Sequence, residues 1–226
     1  MMFYDFTYLL FIAPAIILSL IAQWMIRSAY VKGQQSPASL SGYAAARKIL
    51  DAAGLTNVQI EQVPGEMSDH YDPRDRVLRL SSDVYHGRHL TAVGIAAHEA
   101  GHALQHAFGY IPLVLRNLAV PAASFGSGVS WFLIMAGILM NFKILLFAGI
   151  VFFSFVVIFQ VINLPVEFNA SSRAKQLLVE HGIVNQYEMG PVNKVLNAAA
   201  LTYVAATLQS VMTLLYYILR YSGRDR

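Results

Sequence analysis

Four long apolar stretches, nearly free of charge, constrain this chain more than any other feature. They lie at about residues 6–26, 118–140, 144–164 and 196–219. Each has about 20 residues or more, the length that an α-helix needs to cross roughly 30 Å of hydrocarbon. A buried core helix is the alternative for any one of them. Four in a chain of 226 residues would leave too little polar sequence to cover them, so we expect about four transmembrane helices.

The formal charge is concentrated between these stretches. The chain is 13% charged, whereas an ordinary soluble domain has about 25% charged residues. From Asn117 to Val166 the one formal charge is Lys143, but residues 27–116 have nine Lys or Arg and eight Asp or Glu. The composition excludes a disordered chain, and the net charge of +3 does not indicate nucleic-acid binding. Cysteine is absent, which excludes disulfides and a thiol nucleophile.

The predicted organisation follows from this segregation of charge. We expect a transmembrane helix at 6–26, a polar region at 27–116, a transmembrane hairpin at 118–164, a helical segment at 165–195 and a last transmembrane helix at 196–219. A signal peptide is the alternative for the first stretch, but the stretch has no basic start and no small-residue cleavage site.

Four spans would place both termini on one side of the membrane and the polar segments on the other. Lys and Arg near the span ends favour a cytoplasmic polar region, by the positive-inside tendency. The basic tail formed by Arg220, Arg224 and Arg226 favours the opposite orientation. We expect the polar region to face the cytoplasm.

The polar region has the pattern of a small α+β domain. Helical periodicity at 41–53 and 89–108 predicts two helices. Alternation at 58–63 and 76–80 predicts two strands, with a turn at 69–75 between them. The second strand is also a candidate edge strand, which could pair with an extended peptide.

A motif on the last of these helices indicates a metal site. Residues 98–102 read His-Glu-Ala-Gly-His. On a helix, His98 and His102 lie one turn apart on one face, so both imidazoles can reach one Zn²⁺ at about 2.0–2.1 Å. Glu99 could act as general base, taking a proton from a water whose pKa the zinc has lowered. The alternative is two ordinary histidines, which the small residues around the motif disfavour.

The third zinc ligand must come from elsewhere in the chain, because a catalytic zinc takes three protein ligands and keeps one position for water. His106 lies one turn further along, but three such residues on a straight helix cannot converge on one ion. We expect Glu167, which follows the third apolar stretch, because a carboxylate at a membrane boundary needs a partner or a function. An ordinary interfacial carboxylate is the alternative.

The segments 69–73, 78–81 and 96–105 resemble those of the YugP-type membrane zinc metalloproteases of bacteria. The likeness covers most of the chain, including the order of its spans. More distantly, the chain is similar to the HtpX-type and CAAX-prenyl-protease gluzincins, in which Glu-x-x-Ala-Asp after a transmembrane hairpin provides the third ligand. Here residues 167–171 read Glu-Phe-Asn-Ala-Ser. Ser171 thus replaces the Asp that would orient a ligand histidine; it could accept a hydrogen bond but has no charge.

This resemblance implies a mainly α membrane protein with a small zincin-like catalytic domain, multi-pass in the bacterial cell membrane. It implies a zinc-dependent endopeptidase that hydrolyses peptide bonds by a metal-activated water, on peptide or protein substrates that include membrane proteins. The partners would be this substrate and the lipid bilayer, without nucleic acid.

A peptidase also needs a hydrogen-bond donor that stabilises the oxyanion formed from the peptide carbonyl. Six residues are candidates, and the sequence does not rank them: His70, Tyr71, His86, His89, Arg173 and Tyr203.

Two other functions compete with this hypothesis. A site-2-type intramembrane protease also uses His-Glu-x-x-His, but needs an Asp in a later span, and no Asp occurs between Asp83 and Asp225. A non-catalytic membrane scaffold or metal-binding protein would have no need of the general base Glu99.

Overall fold

The computed structural model describes residues 6–222 of the chain, so Arg224 and Arg226 of the basic tail lie outside the described residues. The predicted fold class is confirmed: the described part is mainly helical, with a small sheet and four helices long and apolar enough to cross a membrane. The helices are α1 (Phe6–Gln34), α2 (Gly42–Ala52), α3 (Ser82–His86), α4 (Leu90–Ala107), α5 (Ile111–Leu139), α6 (Lys143–Glu180) and α7 (Met189–Ser222), and the strands are β1 (Gln59–Val63), β2 (His70–Asp72) and β3 (Val77–Ser81).

The chain forms two compact units. The first, here the membrane unit, comprises Met1–Ile21, Val114–Pro165 and Thr202–Arg226. Its helices expose large apolar side chains, such as Phe132 at 68% and Leu139 at 74%. Lipid, not water, is the solvent that suits such surfaces.

The α5–α6 hairpin of the membrane unit is held by close backbone approach. A Cβ atom added to Gly137 would lie 2.6 Å from the backbone nitrogen of Leu146. Small residues permit such approach between membrane helices, where packing and not hydrophobicity drives association.

The second unit, here the polar unit, comprises Ala22–Leu113 and Val166–Leu201. Its three-stranded sheet has the order β1-β3-β2. β1 runs parallel to β3, with Gln59 opposite Val77, and β2 runs antiparallel to β3, with His70 opposite Arg79. The 69–75 segment therefore contains a strand where a turn alone was predicted. Of the two interpretations of 76–80, an edge strand or a simple strand of the sheet, the structure agrees with the second, because β3 is the central strand.

The core of the polar unit is built from small and branched side chains of α2, α4 and β3. Ala45, Ile49, Leu78, Leu80 and Ala97 are fully buried within it. α4 begins where the His89 imidazole accepts a hydrogen bond from the Ala92 N–H at 3.1 Å, which satisfies one of the free N–H groups of the first turn. This packing fixes α4, the helix that contains residues 98–102.

The long helices run past the predicted span limits. α1 continues to Gln34, beyond the expected end at residue 26. α6 is continuous through Pro165, so the predicted third span and the start of the 165–195 segment form one helix. The predicted division into functional segments stays a prediction.

Candidate metal centre

His98, His102 and Glu167 come together in the polar unit. Glu167 Oε2 lies 3.3 Å from His98 Nε2 and 3.6 Å from His102 Nε2. The ligand atoms of all three residues lie within 4.8 Å of one another. α4 supplies both histidines from successive turns of one face, and α6 supplies the carboxylate 65 positions after the second histidine in the sequence. The three residues singled out from the sequence are therefore neighbours in the fold.

These distances fit one zinc ion. Two ligand atoms about 2.0–2.2 Å from a tetrahedral zinc lie roughly 3.4 Å apart, close to the observed 3.3 and 3.6 Å. Glu167 is 4% exposed, and its Oε2 is buried without a hydrogen-bond partner. An unpaired buried carboxylate oxygen is costly, and a cation between it and the two imidazoles would remove that cost. The residues present therefore fit a zinc ion.

Hydrogen bonds on the far side of each imidazole set its orientation. His98 Nδ1 lies 3.1 Å from Ser171 Oγ, and His102 Nδ1 lies 3.0 Å from Gln105 Oε1. With the hydrogen on Nδ1, each Nε2 presents a lone pair toward Glu167, which is the form that binds a metal. Ser171 thus takes the position expected of the usual Asp, as a neutral partner.

The direction of the His102 contact follows from its neighbours. Arg173 Nε, which can only donate, bonds Asn169 Oδ1 at 2.8 Å. Gln105 Nε2 donates to that same Asn169 oxygen at 3.0 Å and to the Val166 carbonyl at 2.8 Å. Gln105 Oε1 must then face His102, and as an acceptor it requires the hydrogen on Nδ1.

Glu99, the neighbour of His98 in the sequence, is held in place by the sheet. Its Oε2 accepts the backbone N–H of Tyr71, in β2, at 3.0 Å. The start of β2 is in turn tied to β3, because Asp69 Oδ1 accepts the Ser81 N–H at 2.8 Å. Burial raises the pKa of Asp69, the Ser81 hydrogen bonds lower it and the Glu99 charge raises it, so that it lies above its ordinary value.

The electrostatics of the histidine site favour positive charge. Burial alone would lower the pKa of His102, but the contact with the Glu167 carboxylate and the charge of Glu99 raise it above its ordinary value. A proton and a metal ion therefore compete for the same nitrogen, so metal binding would release a proton.

His106 does not join this cluster. Its Nδ1 lies 2.8 Å from the Tyr71 hydroxyl. The group of described residues able to hold a metal consists of His98, His102 and Glu167.

The oxyanion candidates lie in different surroundings. His89 caps α4, and Arg173 bonds Asn169. His70 Nδ1 contacts the Ser68 carbonyl and His86 Nε2 contacts Gln62 Oε1. Tyr203 belongs to the membrane unit. Tyr71 contacts Glu99 directly through its N–H, and its place among the candidates stays open.

Two features of the centre were missed in the sequence. Gln105 lies three residues after His102 on the same helix face, so its role could have been inferred from spacing. The hydrogen bond from the Tyr71 N–H to Glu99 could not be predicted from the sequence. Every residue except proline has a backbone N–H, and only the tertiary structure shows which one lies beside Glu99.

Comparison with known proteins assigns the chain to a family. The family model described as "Putative neutral zinc metallopeptidase" matches residues 8–222. A curated relative in Bacillus subtilis (strain 168), "Putative membrane protease YugP", is 49% identical over 211 residues, which cover 92% of this chain and 94% of that protein. No solved structure matches the chain. Because the model spans nearly the whole sequence, the chain belongs to the family that this model describes.

Proposed function

We propose that this membrane protein is a zinc-dependent endopeptidase whose metal ligands are His98, His102 and Glu167 and whose general base is Glu99. One observation supports this most strongly: two imidazoles with oriented lone pairs face a buried, otherwise unpaired carboxylate at 3.3 and 3.6 Å. Zinc held there would act as a Lewis acid that polarises the peptide carbonyl and lowers the pKa of the attacking water.

Glu99 would take the proton of that water and pass it to the leaving amine. The Tyr71 N–H holds one carboxylate oxygen of Glu99, which leaves the other oxygen to accept the proton. A hydrogen-bonded carboxylate is also fixed in orientation, and a general base must lie within hydrogen-bond reach of the proton that it takes.

The substrate would be an extended peptide segment, either of a soluble protein or of a membrane protein. β2 is an edge strand of the sheet and carries the N–H that binds Glu99. A peptide beside this edge would run past the general base. The relative named a membrane protease and the four apolar helices support a role in the turnover of membrane proteins.

The test is purification in detergent, followed by measurement of bound zinc and of cleavage of unfolded β-casein by wild type and Glu99→Gln. We expect about one zinc per chain in both proteins, and a fall in cleavage rate of about 10²- to 10⁴-fold in the variant. Glu66→Gln, at an exposed acidic residue, is the matched control and should cleave at the wild-type rate.

Equal cleavage by wild type and Glu99→Gln would refute the proposed role of Glu99. Zinc binding without any cleavage would instead favour the metal-binding scaffold.

A further inference from the structure

A cavity of the polar unit is lined by residues of α4 that follow the metal centre in the sequence. Its volume is about 270 Å³, and its lining includes Asn57, Val58, Tyr71, Arg76, Ala103 and His106. We call it the basic pocket, because Arg76 and His106 line it and no lining residue is acidic.

The basic pocket adjoins the general base. Glu99, Ala103 and His106 follow one another at intervals of four and three residues, so they lie along one face of α4. Tyr71 connects the two places: its N–H binds Glu99 at 3.0 Å, and its hydroxyl lies 2.8 Å from His106 Nδ1. One peptide could therefore place a bond at Glu99 and a neighbouring group in the pocket.

The Arg47 guanidinium stabilises the segment that forms one wall of the pocket. Arg47 donates to the carbonyls of Leu55 and Val58 at 2.8 and 2.6 Å, and also pairs with Asp51 at 2.8 Å. These bonds hold the segment between α2 and β1, and the pocket is therefore a formed cavity and not a gap in a loose loop.

Arg76 is available to an anion. The two acidic residues of its own turn, Asp72 and Asp75, both bind Arg79 at 2.7 Å. Arg76 itself has a φ of 56°, a region that residues other than glycine seldom occupy. Arg76 and Tyr71 both line the pocket, and the positive charge of Arg76 offsets part of the rise that burial causes in the pKa of Tyr71.

We propose that the basic pocket binds a carboxylate of the peptide substrate, from an acidic side chain or from the C-terminus. A guanidinium forms two parallel hydrogen bonds with a carboxylate, and His106 and Asn57 add donors on the same wall. The proposal rests on the peptidase function, and it makes Arg76 a residue that determines specificity.

The experiment compares internally quenched peptides that carry Glu, Gln or Lys at each position around the cleaved bond, and peptides that end in a free carboxylate or an amide. At one position we expect wild type to show about tenfold higher kcat/KM for Glu than for Gln, since a charge-assisted contact is worth about that factor. Arg76→Glu should lose this preference and favour Lys, and Arg76→Gln should cleave Glu and Gln peptides alike.

Arg74→Glu is the matched control, because it makes the same charge change on an exposed residue of the same turn outside the pocket lining. It should keep the wild-type preference. A preference for the free carboxylate over the amide, without one for internal Glu, would assign the C-terminus as the source. From either source, Arg76→Glu should lose the preference that wild type shows. A preference that is unchanged in Arg76→Glu, or the absence of both preferences in wild type, would overturn the proposal.

Binding separates failure of this proposal from failure of the peptidase function. Fluorescence anisotropy of a labelled Glu peptide and its Gln analogue on Glu99→Gln measures affinity without cleavage. Tighter binding of the Glu peptide, lost when Arg76→Glu is added, supports the basic pocket even if no peptide is cleaved. Equal affinity for the two peptides, together with equal affinity for peptides that end in a free carboxylate or an amide, would refute it.

Discussion

The two proposed ligand histidines depend on neutral hydrogen-bond partners. Ser171 holds His98 and Gln105 holds His102, at 3.1 and 3.0 Å. Both partners are buried, Gln105 completely. A charged partner would make the imidazole more basic, so this centre orients its ligands with less electron donation than one with the usual Asp.

Removing either partner should weaken zinc binding. For Gln105→Leu and Ser171→Ala we expect zinc affinity to fall about 10- to 100-fold, because the imidazoles lose the bond that fixes their tautomer. Competition with a chromophoric chelator measures the affinity. Ser172→Ala, at the exposed neighbouring position, should bind zinc like wild type, and the same affinity in all three variants would contradict this role.

Glu167 is the proposed third ligand. For Glu167→Ala we expect purified protein with far less than one zinc per chain and no measurable cleavage, because two histidines alone hold the ion weakly. Metal analysis after dialysis gives the stoichiometry. Glu180→Ala removes an exposed carboxylate from the same helix and should retain its zinc; full zinc content in Glu167→Ala would disprove the assignment.

At the scale of elements, α4 and α6 approach each other closely at the centre. A Cβ atom added to Gly101 would lie 2.9 Å from the carbonyl oxygen of Ala170. Gly101 is adjacent to His102, and Ala170 is adjacent to Ser171. The missing side chain therefore lets the histidine helix lie within reach of Glu167 and Ser171.

Gly101→Ala should therefore destabilise the protein. Backbone atoms cannot move aside cheaply, and overpacking costs about 1–3 kcal/mol, more than the roughly 1 kcal/mol that alanine gains in a helix. Thermal unfolding in detergent and zinc affinity should both fall. Gly190→Ala, which has no atom within 4 Å of the new Cβ, should be neutral or stabilising; a Gly101→Ala protein as stable as wild type would contradict the close approach.

Sequence periodicity predicted some of the strands and helices but not others. β1, β3 and α4 lie close to where periodicity placed them, because their apolar residues repeat at strand or helix spacing. β2 has three residues, too few for a pattern, and its pairing with β3 comes from long-range contacts. The central position of β3 is likewise a property of the assembled sheet.

At the scale of the whole molecule, four apolar helices make this a membrane protein, and the absence of cysteine makes its orientation measurable. A single introduced cysteine reacts with maleimide without background. Tyr187→Cys places it at a site 95% exposed in the polar unit, and Met140→Cys places it at a site 69% exposed between α5 and α6.

We expect a membrane-impermeant maleimide to label Met140→Cys in intact cells. It should label Tyr187→Cys only after the cells are permeabilised, because we propose that the polar unit faces the cytoplasm. The cysteine-free wild type is the control. Labelling of Tyr187→Cys in intact cells would reverse the orientation, and labelling of both would contradict the four-span arrangement.

The sequence alone determined the four apolar helices, the α4 helix and the three residues proposed as ligands. A membrane-crossing helix needs a minimum apolar length, and a buried helix face needs apolar residues at regular spacing, and both can be recognised in the sequence. The tertiary structure decided the rest. It brought Glu167 of α6 to 3.3 Å from His98, placed Ser171 beside the same histidine, and placed the Tyr71 N–H against Glu99. These contacts join residues that are distant along the chain or that act through the backbone, and their geometry depends on close packing of the whole polar unit.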